Sequence, residues 1–293
     1  MNNNTVAFIG GMMGMIGYGT ADFFSKKTVD KIGIIKSLLY AKLIETVILS
    51  IFLLKDSSLP RLTLKNIIFL ALFSIFSTIG YLALYKGFKI GKISIISSVT
   101  STQVVITAIF SFLVFGEIFS KYKIIALIFI IIGIFFTAVN VKELKNNLRA
   151  HGLSKGVLEA SCVVIIFGAW IPLWDQFVEG PGWIIWSLFL NIFMMGILFF
   201  YGIFFKKKFM RLGKGAPYFW ILFIAIFEGM ANIGNTWAFN GSNNTTSIIT
   251  AITSSYPLIT VMLGYVFLRE RLALSQYLGI TSIIIGLSIM PFL

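Results

Sequence analysis

Glu228 stands in the apolar stretch Ile226-Phe227-Glu228-Gly229, and Asn232 and Asn235 follow four and seven positions on. At helical spacing these three side chains share one face. A carboxylate and two amides on one face can hold a polar solute or pass a proton. A charged side chain midway along a membrane-spanning helix costs roughly 2.5–3.5 kcal/mol on insertion scales. Something must offset that cost, or the group must be neutral. Two readings stand: a substrate or proton site in a cavity, and a neutral Glu locked in an interhelical hydrogen-bond network. Intramembrane ionisable groups are functional by default, which favours the first. Lys42 and Glu45 lie three apart in another apolar run, the spacing of a helical ion pair. Glu228 is a second candidate partner for Lys42. Asp22, near the end of the first run and four before Lys26, reads as half of an interfacial salt bridge, with ligand contact the alternative.

The elements that position these groups follow from composition. The chain has 293 residues, of which 58% are hydrophobic and 12% charged. A soluble domain averages about 45–50% apolar and about 25% charged residues, so this is a membrane protein. The formal charge of +13 invites a nucleic-acid reading. Most of the basic residues sit in short links between apolar runs, however, and orientation in a membrane explains them better. The single Cys162 lies inside an apolar run and reads as a small packing residue. The run Val6–Phe24 has no Lys or Arg before it and no small-residue cleavage site, so it reads as a retained span.

About 20 apolar residues cross a bilayer as a helix. Ten stretches qualify: 5–25, 34–54, 64–85, 94–116, 122–141, 153–174, 182–205, 217–238, 245–268 and 274–292. The longest link, Lys142–Gly152, falls between the fifth and sixth.

The second half repeats the first. Ser97-Ser98-Val99-Thr100-Ser101-Thr102-Gln103 leads through an apolar run to Glu117 and then Gly133; Thr250-Ala251-Ile252-Thr253-Ser254-Ser255-Tyr256 leads likewise to Glu270 and Gly286, both pairs 153 positions apart. Two copies of an odd-numbered helical unit enter the membrane from opposite sides. The expected fold is therefore all-α, with ten transmembrane helices as two inverted five-helix repeats, residues 1–141 and 153–293 joined by the linker 142–152. That architecture supports alternating access around a central site. Links after odd-numbered runs carry 17 Lys and Arg, against 5 after even-numbered runs. By the positive-inside rule the odd links are cytoplasmic and both termini lie outside.

These features together resemble the EamA-like ten-helix transporters of the drug/metabolite transporter superfamily. The resemblance covers nearly the whole chain. It rests on Phe115-Gly116-Glu117 and Leu268-Arg269-Glu270-Arg271-Leu272, each followed by a helix with a late Gly, on Tyr18-Gly19-Thr20 and Ala41-Lys42-Leu43, and on Tyr256-Pro257-Leu258. The first copy departs, with Gln103-Val104 and no proline. The resemblance implies a secondary transporter of small molecules in the cytoplasmic membrane. It also implies termini inside, against the charge count. Tyr18, Tyr81, Tyr85, Trp170 and Trp237 fall in helices that line the central cavity in such proteins. Trp174, Trp183 and Trp220 read as interfacial anchors.

The candidate substrate-binding set is thus Glu228, Asn232, Asn235, Tyr18, Lys42, Tyr81, Gln103, Trp170 and Tyr256. The hydroxyl-rich starts of runs four and nine serve close packing or line the cavity. Glu117 and Glu270, beside basic loops, read as structural. Gly10, Gly14 and Gly17 suit tight helix contacts. The lone histidine, His151, lies in a link; no metal cluster, phosphate-cradling loop or catalytic set is recognisable. The expected partners are a small-molecule substrate and the lipid bilayer, with no nucleic acid, no cofactor and the oligomeric state open. A proton is the coupling ion that Glu228 suggests. The mixed acidic, basic and amide set suits an amino acid or similar metabolite. A lipophilic cation held by Glu228 and aromatic faces is the alternative, and a non-transporting membrane scaffold or sensor is the rival from another class.

Overall fold

The computed structural model describes residues 3–53, 62–138, 155–180, 182–205, 215–240, 245–268 and 274–289. His151, Glu270, the link 142–152 and the basic stretch 206–214 lie outside them. The described residues form twelve helices: α1 (Asn3–Ile32), α2 (Ile34–Leu53), α3 (Leu64–Ile90), α4 (Ile93–Ser101), α5 (Gln103–Phe115), α6 (Lys121–Ala138), α7 (Val157–Val178), α8 (Trp183–Phe205), α9 (Tyr218–Asn240), α10 (Thr246–Thr253), α11 (Pro257–Leu268) and α12 (Leu274–Ile289). Pairs α4–α5 and α10–α11 each make one broken rod, so the described residues form ten rods, five on either side of the central link. Six of these are long and apolar enough to cross a membrane: α3, α4–α5, α7, α8, α9 and α10–α11. Of the rest, α1 is 30 residues long with its charges toward its end, and α2 is 20 residues long and carries Lys42 and Glu45. Leu43, Val47, Phe112 and Leu113 point outward, as a lipid solvent allows.

Runs four and nine are not the continuous helices that their hydropathy suggests. The first breaks at Thr102 and the second across Ser254, Ser255 and Tyr256. At each break the backbone tightens to i→i+3 bonds, Thr102 N to Val99 O at 3.1 Å and Tyr256 N to Thr253 O at 3.0 Å. Side-chain hydroxyls supply a competing set: Ser101 and Thr102 donate to the carbonyls of Ser98 and Val99 at 2.8 and 2.7 Å, and Ser255 to that of Ala251 at 3.1 Å. Such back-bonding bends helices. Pro257, just past the second break, removes one donor as well.

The repeats meet symmetrically. Gly19 on α1 seats against Tyr256 O and Ile259, while Gly168 on α7 seats against Gln103 O and Ile106. Tyr256 and Gln103, and Ile259 and Ile106, are each 153 positions apart. The first helix of each repeat therefore crosses the broken rod of the other, at its break. The last helices, α6 and α12, pack on each other in the same reciprocal way. Gly133 meets Gly279 O and Ile283, and Gly286 meets Ala126 O and Ile130. All these pairs are again related by 153, and the contacts run antiparallel. Ser282 donates to Phe129 O at 2.6 Å; these two positions are themselves equivalents, so the pseudo-two-fold axis passes between them. Antiparallel equivalents about such an axis make an inverted repeat.

Gly10 and Gly17 press α1 on the backbone of α9 at Gly234 and Phe227, the close approach that small residues permit. Cys162 is exposed on α7 rather than packed inside, because its helix face looks away from the other rods.

Candidate functional site

The helices enclose a cavity of about 120 Å³, well above the ~10–15 Å³ that one water needs. Tyr18 on α1, Lys42 on α2, Tyr81 on α3, Gln103 on α5, Trp170 on α7, Glu228, Asn232 and Asn235 on α9 and Tyr256 in the second break all line it. The nine candidate residues therefore surround one space. The breaks place Gln103 and Tyr256 there, since a bent rod presents its kink to the centre.

Lys42 is the hub. Its Nζ lies 2.8 Å from Glu45 Oε2 and 2.9 Å from Glu228 Oε1, and 4.3 Å from the centre of the Tyr81 ring. The ammonium thus has three neighbours that favour charge. Lys42, Glu45 and Glu228 are 1%, 0% and 2% exposed. This geometry supplies what a carboxylate at mid-span needs, a directly paired base in a site of low dielectric. The pairing extends outward: Asn232 donates to Glu45 Oε1 at 2.5 Å, and Tyr18 donates to Asn232 Oδ1 at 2.5 Å. Asn235 Oδ1 accepts from Thr253 at 2.8 Å. Of the two residues following Glu228 on its face, Asn232 therefore ties α9 to α1 and α2, and Asn235 ties α9 to α10.

The triad of Lys42, Glu45 and Glu228, taken as ionised, carries one net negative charge. One added proton makes it neutral. Glu228 Oε2 is buried and makes no hydrogen bond; the Tyr81 phenol lies beside the Glu228 carboxyl group. Ser77 Oγ, Gln103 Oε1 and Thr250 Oγ1 are also buried cavity-wall atoms with no hydrogen-bond partner. Buried polar atoms are normally paired, so these four mark places where a polar guest can bond.

The geometry moves several residues from the places that spacing suggested. Asp22 does not pair with Lys26. Lys26 lies 3.3 Å from Asp30, on the exposed side one turn further on. Asp22 turns inward, is 7% exposed and lines the cavity, where Ser97 donates to its Oδ2 at 3.0 Å. Both Asp22 and Asp30 lie four residues from Lys26, so spacing alone could not choose between them. Trp174 is not an interfacial anchor. It is buried in the cavity wall and stacks on Trp170 with ring centres 5.1 Å apart. Trp170 itself donates to Phe73 O at 3.3 Å. Trp237 does not line the cavity, though Tyr85 does. Asn191, which is buried on α8 and lines the cavity, had a signal in the sequence: it and Ser187 are the polar side chains of a long apolar run. The hydroxyl clusters divide between roles, with Thr100, Thr250 and Thr253 on the wall, Ser97 bonded to Asp22, and Ser101, Thr102 and Ser255 bonded to backbone.

A second buried polar cluster lies away from the cavity. Glu117 accepts from Lys123, from Ser247 Oγ at 2.7 Å, and from Ser247 N at 3.2–3.3 Å. Thr246 donates to Asp175 on α7. Two carboxylates thus flank the first turn of α10, where unpaired N–H groups and the helix dipole favour negative charge.

The comparisons with known proteins agree with this architecture. No curated protein matches the chain. A solved crystal structure superposes with a TM-score of 0.75 at 12% identity, covering 97% of each chain; at that identity it shows the fold alone. The model of the EamA-like transporter family matches residues 5–139 and again 154–291. The double match falls on the two structural repeats, and this multi-pass membrane chain belongs to the EamA-like transporter family.

Proposed function

We propose that the chain is a secondary transporter that moves a small polar, amine-bearing metabolite, amino acids being the first class to test, across the cytoplasmic membrane by alternating access coupled to protons. One observation carries this reading: a Lys42–Glu45–Glu228 triad, buried at the wall of a central cavity, that one proton neutralises and whose Glu228 Oε2 has no hydrogen-bond partner. A group that gains and loses a proton at that depth can link proton movement to solute movement. The cavity lies where the first helix of each repeat crosses the other's broken rod, the place where inverted-repeat transporters bind. A shift of the repeats about the pseudo-two-fold axis exposes the cavity to one side and then the other.

The test is transport in proteoliposomes. A thermal-shift screen against amino acids, amines, nucleobases and sugars first finds a stabilising solute. Uptake of that solute is then driven by a pH gradient. Glu228→Gln, nearly isosteric and unable to ionise, should fold and insert yet lose gradient-driven transport by at least ten-fold. Solute exchange, which need not move a net proton, should persist. Gradient-driven transport at the wild-type rate in Glu228→Gln rejects the coupling role.

A further inference from the structure

The Lys42 triad is already paired within itself, whereas a second cavity acid is not. Asp22 is 93% buried, lines the cavity from α1, and among the described residues has one hydrogen bond, from Ser97 to Oδ2. No basic residue among those described pairs with it; the acid it senses electrostatically is Glu228, which is already held by Lys42. Three phenols, those of Tyr18, Tyr85 and Tyr256, lie within the field of this carboxylate. Two of them are fixed by hydroxyl neighbours: Ser25 donates to the Tyr85 oxygen at 3.1 Å, and Thr100 bonds Tyr256. A buried carboxylate without a basic partner, beside rigid aromatic rings, has the chemistry of a seat for an organic cation.

We propose that Asp22 and the tyrosines around it form the subsite that receives the ammonium group of the transported solute, while the Lys42–Glu45–Glu228 triad handles the proton. The proposal rests on the transport reading above. Ser97 holds Asp22 toward the cavity, and the solute's ammonium supplies the positive charge that the protein leaves out. The unpaired Ser77, Gln103 and Thr250 atoms on the same wall are left for the solute's other polar groups.

Binding measured on purified full-length protein tests this without a transport assay. The probes are phenethylamine and its uncharged counterpart 2-phenylethanol, followed by thermal shift and calorimetry. Phenethylamine should stabilise the wild type and 2-phenylethanol should not. Asp22→Asn should weaken phenethylamine binding at least ten-fold. Ser97→Ala, which keeps the carboxylate and drops its one hydrogen bond, should lose no more than a few-fold. Glu228→Gln, which keeps Asp22 and the tyrosines beside it, should cost less phenethylamine affinity than Asp22→Asn. Equal binding of amine and alcohol, wild-type affinity in Asp22→Asn, or a larger loss in Glu228→Gln than in Asp22→Asn overturns the assignment. Folding of each variant is checked by its elution as a monodisperse peak. Should Asp22→Asn not fold, Asp22→Glu replaces it, and an affinity and amine-over-alcohol preference equal to wild type then count against the close seat. Solute transport that fails in wild-type proteoliposomes, with amine binding intact, rejects the transport reading and leaves the Asp22 seat standing.

Discussion

At the residue scale, the site is a problem in charge placement. Lys42 touches two carboxylates and an aromatic face, and nothing in hydrocarbon could replace those partners. Removing one member of a buried ion pair typically costs about 3–5 kcal/mol, because the survivor stays buried and uncompensated. Lys42→Met should therefore lower the melting temperature of detergent-purified protein more than Glu228→Gln does, since it strands two acids instead of one base that retains Glu45. Adding Glu45→Gln to Lys42→Met should recover part of the loss; a double variant no more stable than Lys42→Met would mean that the pairing contributes little. The types and spacing of residues exposed much of this site in advance. A mid-span Glu with two amides on its face, and a Lys–Glu pair three apart, are visible because charge in an apolar run is costly. Which acid the Lys reaches is a tertiary fact, and so is the inward turn of Asp22. Its i+4 Lys pointed to the surface, and only the crossing of α1 with α4 brings Ser97 to it.

At the element scale, the broken rods matter most. Hydropathy predicted two uninterrupted spans because it averages over side chains and is blind to backbone hydrogen bonding. The signal was present in another form, as clustered Ser and Thr that compete for helical carbonyls. The first copy breaks at Thr102 with no proline, so such a break does not require one. Pro257→Ala should keep the kink and change stability by about 1 kcal/mol or less, read as a small melting shift with transport retained. A large loss of transport would assign the break to the proline. The start of α10 is a second element with a specific anchor. Ser247→Ala removes the hydroxyl that Glu117 accepts while leaving the backbone bond. A hydrogen bond to a charged group contributes about 1.5–3 kcal/mol, and hydrogen exchange at α10 amides should speed up accordingly. Unchanged exchange there would mean that the backbone bonds alone hold the turn.

At the scale of the molecule, the duplication was legible because sequence offsets survive where contacts are symmetric. The constant spacing of 153 between Glu117 and Glu270 also relates the contacts of α6 and α12. The offset does not hold throughout: Gly19 and Gly168, equivalent by contact, are 149 apart, so the early helices of the repeats align only once the structure is known. Orientation still rests on 17 basic residues against 5. In a Cys162→Ala background, Lys89→Cys should resist membrane-impermeant maleimide in intact cells and Leu62→Cys should react. The reverse pattern would invert the protein without altering its fold. The reciprocal seating of α6 on α12 carries one more consequence. Gly133 rests on Gly279 and Ile283, whose counterparts within the first repeat are Ala126 and Ile130, both on the helix that carries Gly133. A lone first repeat therefore owns both halves of that contact and can offer them to another lone first repeat inserted upside down. A polypeptide half this size that entered the membrane in both directions would therefore carry both surfaces of this seam on a single helix.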